Sequence, residues 1–155
     1  MTGKKTDQEL FEAISTIYNE KVPFNKVLGL QVESLHYDRV SVRFEMRQEL
    51  VGNFLRGNLH GGVISTVIDV TGSLSAFMGL QKKLAGETLE QKMAHIEKLG
   101  TIDLRVDYLR PGVGRWFICT AHTLRTGNKV AVTRVELRND SDDLIAVGTG
   151  SYVVS

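Results

Sequence analysis

The chain has little sulfur chemistry to offer. Its 155 residues include one cysteine, Cys119, so no disulfide can form within it. That cysteine lies in an apolar, strand-like run, where a buried thiol is expected rather than a nucleophile. An excess of either charge is also missing. There are 19 basic and 18 acidic residues, scattered along the chain, and no basic stripe marks a nucleic-acid partner. His36, His95 and His122 are scattered, show no metal-ligand spacing, and are expected to be structural. No metal and no cofactor are therefore expected. No run is read as approaching the length of a membrane span, and Met1 to Asp7 leads into no apolar signal region. A soluble, cytoplasmic protein without membrane contact is the expectation. Repeats, low-complexity tracts and linkers are absent, and 155 residues suit a single domain, 1–155, with a sizeable core.

What the chain does have is one dominant stretch, from Asn58 to Met78. It opens on His60-Gly61-Gly62 and continues as a long apolar run holding a single carboxylate, Asp69. At about 100° per helical residue, Gly62, Ser65, Thr66, Gly72, Ser73 and Ala76 fall within about 60° of Asp69. All are small. Val63, Ile64, Val67, Leu74 and Met78 lie on the opposite side. The pattern predicts a mostly buried helix with a narrow strip of small side chains around one acid. Ionised carboxylates are rarely buried unless paired or used. From the helix alone two readings stay open. The strip either receives something that meets Asp69, or it packs against another helix while Asp69 bonds to nearby backbone. The glycine start leaves backbone N–H groups free at the positive helix end.

The flanking segments frame this helix. Residues 7–21 read as a helix with Leu10, Phe11, Ile14, Ile17 and Tyr18 at helical spacing, and Pro23 lies just beyond. Leu28 to Ser34 alternates, and His36-Tyr37-Asp38 turns. A strand follows, with Val40, Val42, Phe44 and Met46 on one face and Arg39, Ser41, Arg43, Glu45 and Arg47 on the other. Residues 51–59 read as a loop, and the central helix is expected to end near Gly79. A second amphipathic segment over 87–98 starts with a capping box, Thr88-Leu89-Glu90-Gln91.

Four strands then follow in succession. Thr101 to Leu109 places Ile102, Leu104, Val106 and Tyr108 on one face and Asp103, Arg105 and Asp107 on the other. Arg115 to Arg125 is apolar on both faces and so reads as central. Lys129 to Arg138 follows a hairpin turn at Thr126-Gly127-Asn128. Leu144 to Val154 carries Ala146, Gly148 and Gly150 on one face, small enough for a thick helix to approach. A helix apolar around most of its circumference needs a sheet wrapped around it. The order therefore predicts an α+β hotdog fold, one antiparallel sheet curled over one central helix. Its edge strands commonly pair with a second copy.

The spacing Asn53…His60-Gly61-Gly62…Asp69, the strand Gly100-Thr101-Ile102-Asp103-Leu104, and Gly127-Asn128-Lys129-Val130-Ala131-Val132 resemble the hotdog-fold acyl-CoA thioesterases of the phenylacetate-degradation (PaaI-like) type. Within that group the chain is most similar to the YigI-like medium- and long-chain enzymes, over nearly its whole length. The resemblance implies a hydrolase acting on acyl-CoA, with Asp69 as the catalytic acid and the Gly61 N–H, beside Gly62, as the oxyanion donor. It further implies that Asn53 holds the water and that Thr101 positions the acid. Many relatives carry the loop Asn or Gln six residues before the His, where this chain has Phe54. Asn53 fits with one extra loop residue, and Asn58 is its rival. The resemblance also implies a homodimer, sheets joined edge to edge and central helices antiparallel, with each active site built from two subunits. A dimer of dimers is the larger alternative.

Thioester hydrolysis needs these groups. Asp69 can activate water as general base or attack directly to form an anhydride, and the sequence does not separate the two routes. A thiolate leaves readily, so no strong general acid is required. His60, beside a positive helix end, reads as a neutral residue shaping the loop, with direct proton transfer the lesser reading. Arg125 and Lys129 flank the hairpin turn, either simply solvated or touching the phosphates of coenzyme A. Arg56, Lys82, Lys83 and Arg110 are weaker candidates. The 87–98 segment, through Leu89, Met93 and Ile96, either shapes an acyl pocket or only caps the core. Two competitors remain. A hotdog dehydratase or hydratase would need a differently spaced, proline-containing motif that the chain lacks, and an acyl-CoA-binding regulator would usually carry a separate DNA-binding segment.

Overall fold

A computed structural model describes the backbone of residues 2–155 and the side chains of residues 7–155. Helix α1 (Thr2–Thr16) runs into a π-helical turn over Ile17–Lys21. Pro23 does not end the helical region. It opens a further helix, α2 (Pro23–Leu28), because proline is accommodated in the first helical turn, where its missing N–H would have no partner. Gly29, at φ 70°, closes α2 in the left-handed region. Strand β1 therefore begins later than the alternation predicts, at Gln31–Leu35, and pairs with β2 (Arg39–Glu45). The stretch expected as a loop contains a small hairpin, β3 (Val51–Asn53) and β4 (Asn58–Leu59).

The central helix α3 spans Gly61–Lys83, four residues beyond the predicted stop at Gly79. That glycine serves a close approach, not a helix end. A Cβ there would lie 2.6 Å from Thr126 Oγ1 and 3.0 Å from Thr123 Oγ1. At 23 residues, with a mean hydropathy of 1.5, α3 is long and apolar enough to cross a membrane, contrary to the sequence expectation. Here it is the core helix, and 67% of its most apolar window is buried in the fold. Helix α4 (Leu89–Ala94) follows with the capping box at Thr88 and Gln91 in place. Leu89, Met93 and Ile96 pack against the main core.

Strands β5 (Gly100–Tyr108), β6 (Trp116–Thr126), β7 (Val130–Asn139) and β8 (Leu144–Val153) complete a six-stranded antiparallel sheet, ordered β1-β2-β6-β7-β8-β5. Its inner face, including Val40, Val42, Phe44, Phe117, Cys119, Val135 and Leu137, closes over α3. The small face of β8 meets the helix closely, since a Cβ at Gly148 would lie 2.4 Å from Ile68 Cγ2.

One strand departs from simple alternation in a way that matters for the site. β5 pairs Thr101 with Tyr152 and Asp103 with Ser151, so Ile102 is the extra residue of a β-bulge. Ile102 stays 54% exposed instead of joining Leu104 and Val106, which pack against the core. The extra residue turns Thr101 onto the helix-facing side, where plain alternation would have placed it outside.

Candidate active site

Helix α3 begins at His60, whose extended backbone makes it the N-cap. Its Nδ1 accepts the Gly62 N–H at 2.8 Å, which requires an unprotonated nitrogen there. The histidine thus caps the helix entry through its ring nitrogen. The Gly62 N–H is occupied by that bond, and among the described residues the Gly61 N–H has no partner. Tyr108 leans over the same turn, donating its hydroxyl to the Gly61 carbonyl at 3.1 Å. A side chain at Gly61 would face Tyr108, with Cβ 3.4 Å from Cε1.

A pocket of about 380 Å³ opens at this helix start. Asn53, Arg56, Asn58, Gly61, Tyr108 and Arg110 contribute to its lining. The rival asparagines are register partners across the β3–β4 hairpin. Asn53 Oδ1 accepts from the Leu55 N–H at 3.1 Å, and Asn58 Nδ2 donates to the Leu59 carbonyl at 3.2 Å. Both are at the pocket, so the extra-residue question does not separate them.

Asp69 is elsewhere. It lies eight residues along α3, roughly 12 Å up the axis from Gly61 at 1.5 Å per residue, and does not line that pocket. Its Oδ1 accepts the Thr101 hydroxyl at 2.9 Å. Its backbone carbonyl accepts the Tyr152 hydroxyl at 3.2 Å. Among the described residues no Lys, Arg or His pairs with it. Half-buried Ser65, Thr66 and Ser73 and exposed Gly62 share its side of the helix, while Gly72 and Ala76 are buried against the fold. The strip of small residues is thus narrower than the sequence suggests.

Within one chain, then, two groups form: Asn53, Asn58 and Gly61 at the pocket, and Asp69 with Thr101 further along. Arg125 and Lys129 join neither. They flank the β6–β7 turn at the other end of α3, where Lys83 Nζ donates to the Thr126 carbonyl. The cations at the pocket are Arg56 and Arg110. Tyr108 and Tyr152 carry no local sequence signal, because each acquires its contact from the strand register alone. Among the described residues no group of three or more His, Cys, Asp or Glu is placed to hold a metal.

A long apolar helix held by one curled antiparallel sheet, with a free N–H at its start and an anchored acid two turns on, defines the hotdog class of acyl-processing folds. Comparison with known proteins narrows this. A family model for the thioesterase superfamily matches residues 56–146. The medium/long-chain acyl-CoA thioesterase YigI of Escherichia coli K12 is 36% identical over 157 residues, with 99% of each chain covered. YigI of Salmonella typhimurium is 37% identical over the same span. A crystal structure from Shewanella oneidensis, related to the thioesterase superfamily, has a TM-score of 0.92 and 43% identity, covering 96% of this chain and 97% of that one. Another, from Syntrophus aciditrophicus, has a TM-score of 0.89 and 53% identity, covering 97% and 99%. The chain belongs to the thioesterase superfamily, as a hotdog enzyme closely related to the YigI proteins.

Proposed function

We propose that the protein hydrolyses medium- or long-chain acyl-CoA to the free acid and coenzyme A. The observation that carries this is Asp69, the one acidic residue of a largely apolar helix, anchored by one neutral hydroxyl and paired with no cation among the described residues. A carboxylate so placed can take a proton from a water molecule or attack a carbonyl directly. The Gly61 N–H, fixed at the positive end of α3, suits the developing oxyanion. Asn53 or Asn58 orients the water, and Thr101 orients Asp69. His60 keeps the loop in shape, and Gly62 beside it leaves room for substrate.

The two groups of residues meet across a homodimer in this proposal. An antiparallel partner helix brings its Asp69 opposite Gly61, covering the open strip at Ser65 and Thr66. β5, an edge strand with exposed Ile102 and Tyr108, is the edge along which the sheets join, and pairing of two such dimers extends the same assembly. In that arrangement the partner's β6–β7 turn lies on the Gly61 side of the site. Arg125 and Lys129 then serve coenzyme A bound at the partner's pocket, together with Arg56 and Arg110 of the pocket itself. A cytoplasmic location belongs to the same proposal.

The test is thiol release from a panel of acyl-CoAs by the wild-type protein and Asp69→Asn. The amide preserves shape but accepts no proton, so kcat is expected to fall by about 100-fold or more. A variant that retained most of its kcat would remove Asp69 from the chemistry. Absence of turnover on every acyl-CoA by wild-type protein would overturn the reading itself.

A further inference from the structure

We propose that Tyr152 is a positioning residue for Asp69, acting with Thr101 as a two-point clamp on that one residue. This rests on the catalytic reading of Asp69 above. Thr101 and Tyr152 are direct register partners in the antiparallel β5–β8 pair, and such partners point to the same face. Both side chains reach the same helical residue, but at different ends. Thr101 Oγ1 donates to the carboxylate at 2.9 Å, and Tyr152 Oη donates to the backbone carbonyl at 3.2 Å. One bond fixes where the carboxylate points. The other fixes the helical turn from which it projects.

The surroundings are shaped for that second bond. Tyr152 is fully buried, its ring between helix and sheet. A Cβ at Gly72 would lie 2.3 Å from Tyr152 Oη, and one at Gly150 would lie 2.4 Å from it. Both glycines therefore clear space for the hydroxyl, one from the helix and one from the sheet. Thr133 Oγ1, fully buried and without a hydrogen-bond partner of its own among the described residues, borders the same spot, 3.0 Å from the Cβ that Gly72 lacks. Burial first, and the nearby Asp69 charge second, push the phenol far above its ordinary range. It remains a neutral donor wherever Asp69 is ionised.

The clamp also gives the bulge at Ile102 a purpose. Without the extra residue Thr101 would leave the helix-facing side, and the two points of the clamp would not share a face.

The experiment is Tyr152→Phe, which keeps the ring and removes the hydroxyl. The Asp69 carbonyl keeps its helical bond, so the fold is expected to survive, and assays are run well below the variant's own melting temperature. The expected result is a fall of about 10- to 100-fold in kcat, as a small misplacement of a reacting group produces, with KM within about twofold of wild type, since Tyr152 touches no substrate. Two further measurements separate positioning from general support. In the Asp69→Asn background, Tyr152→Phe is expected to change the residual rate by less than about twofold, because it acts only through the acid. The Thr101→Ala, Tyr152→Phe double variant is expected to lose less than the product of the single losses. Gly150→Ala, which crowds the hydroxyl while retaining Tyr152, provides an independent variant with the same expected loss in kcat. A well-folded Tyr152→Phe with wild-type kcat would overturn the proposal, as would an equal loss in the Asp69→Asn background. An active Asp69→Asn protein would instead sink the reading of Asp69 on which the clamp depends, so the two failures are distinguishable.

Discussion

At the scale of single residues, the helix start isolates one group cleanly. His60 holds the Gly62 N–H, and among the described residues the Gly61 N–H has no partner. That N–H can be removed without disturbing the helix. Gly61 is the first helical residue, where proline is accommodated. His60 has φ −64° and ψ 136°, within the extended region that a following proline demands. Gly61→Pro is therefore expected to fold and to lose about 100- to 1,000-fold in kcat through the missing donor. Gly61→Ala adds a Cβ toward Tyr108 but keeps the N–H, and is expected to retain far more activity. Equal losses in the two variants, measured by steady-state thiol release with circular dichroism to verify folding, would assign the effect to bulk at Tyr108 instead of to the oxyanion.

At the scale of elements, the decisive contact is between α3 and β8. Ile68 Cγ2 occupies the space where a Cβ of Gly148 would be. Gly148→Ala is expected to destabilise the fold by about 1–3 kcal/mol through overpacking, seen as a lower denaturation midpoint. Ile68→Ala in the same chain should relieve part of that loss, so the pair should be less than additive. A Gly148→Ala protein as stable as wild type would show that β8 can retreat from the helix. This contact was legible in advance, because small residues at Ala146, Gly148 and Gly150 and a helix apolar on most sides have one common explanation. The succession of elements along the chain and the place of Asp69 in a strip of small residues were legible for similar reasons of period and composition, whereas the anchor at Thr101 was implied only by the resemblance. Other features were not. Pro23 reads as a stop and acts as a start, and Gly79 reads as an end and serves a close approach to Thr126. The bulge at Ile102 left no trace in the pattern, since one inserted residue looks like uninterrupted alternation until its partner strand is known. Tyr152 is invisible for the same reason.

At the scale of the whole molecule, the separation of Gly61 from Asp69 along one helix makes a strong demand on assembly. Gly61→Pro and Asp69→Asn, each nearly inactive alone, are mixed in equal amounts, unfolded and refolded together. If each site joins one subunit's Gly61 to its partner's Asp69, every mixed dimer contains one intact site and one doubly defective site. With random pairing half the dimers are mixed, and about a quarter of wild-type activity returns. If both residues serve a site within one chain, no activity returns, and native mass spectrometry showing the mixed dimer makes that outcome decisive against sharing. Cys119 bears on how such mixtures can be followed. Its side chain is fully buried, its Sγ lies 3.7 Å from the Val67 carbonyl, and burial pushes its thiol up to about 12. Beneath the central helix it cannot meet a labelling reagent unless helix and sheet part. An alkylating probe added to the native protein therefore acts as a clock for opening of the fold, one tick per chain, against which any exchange of subunits between the proposed dimers can be timed.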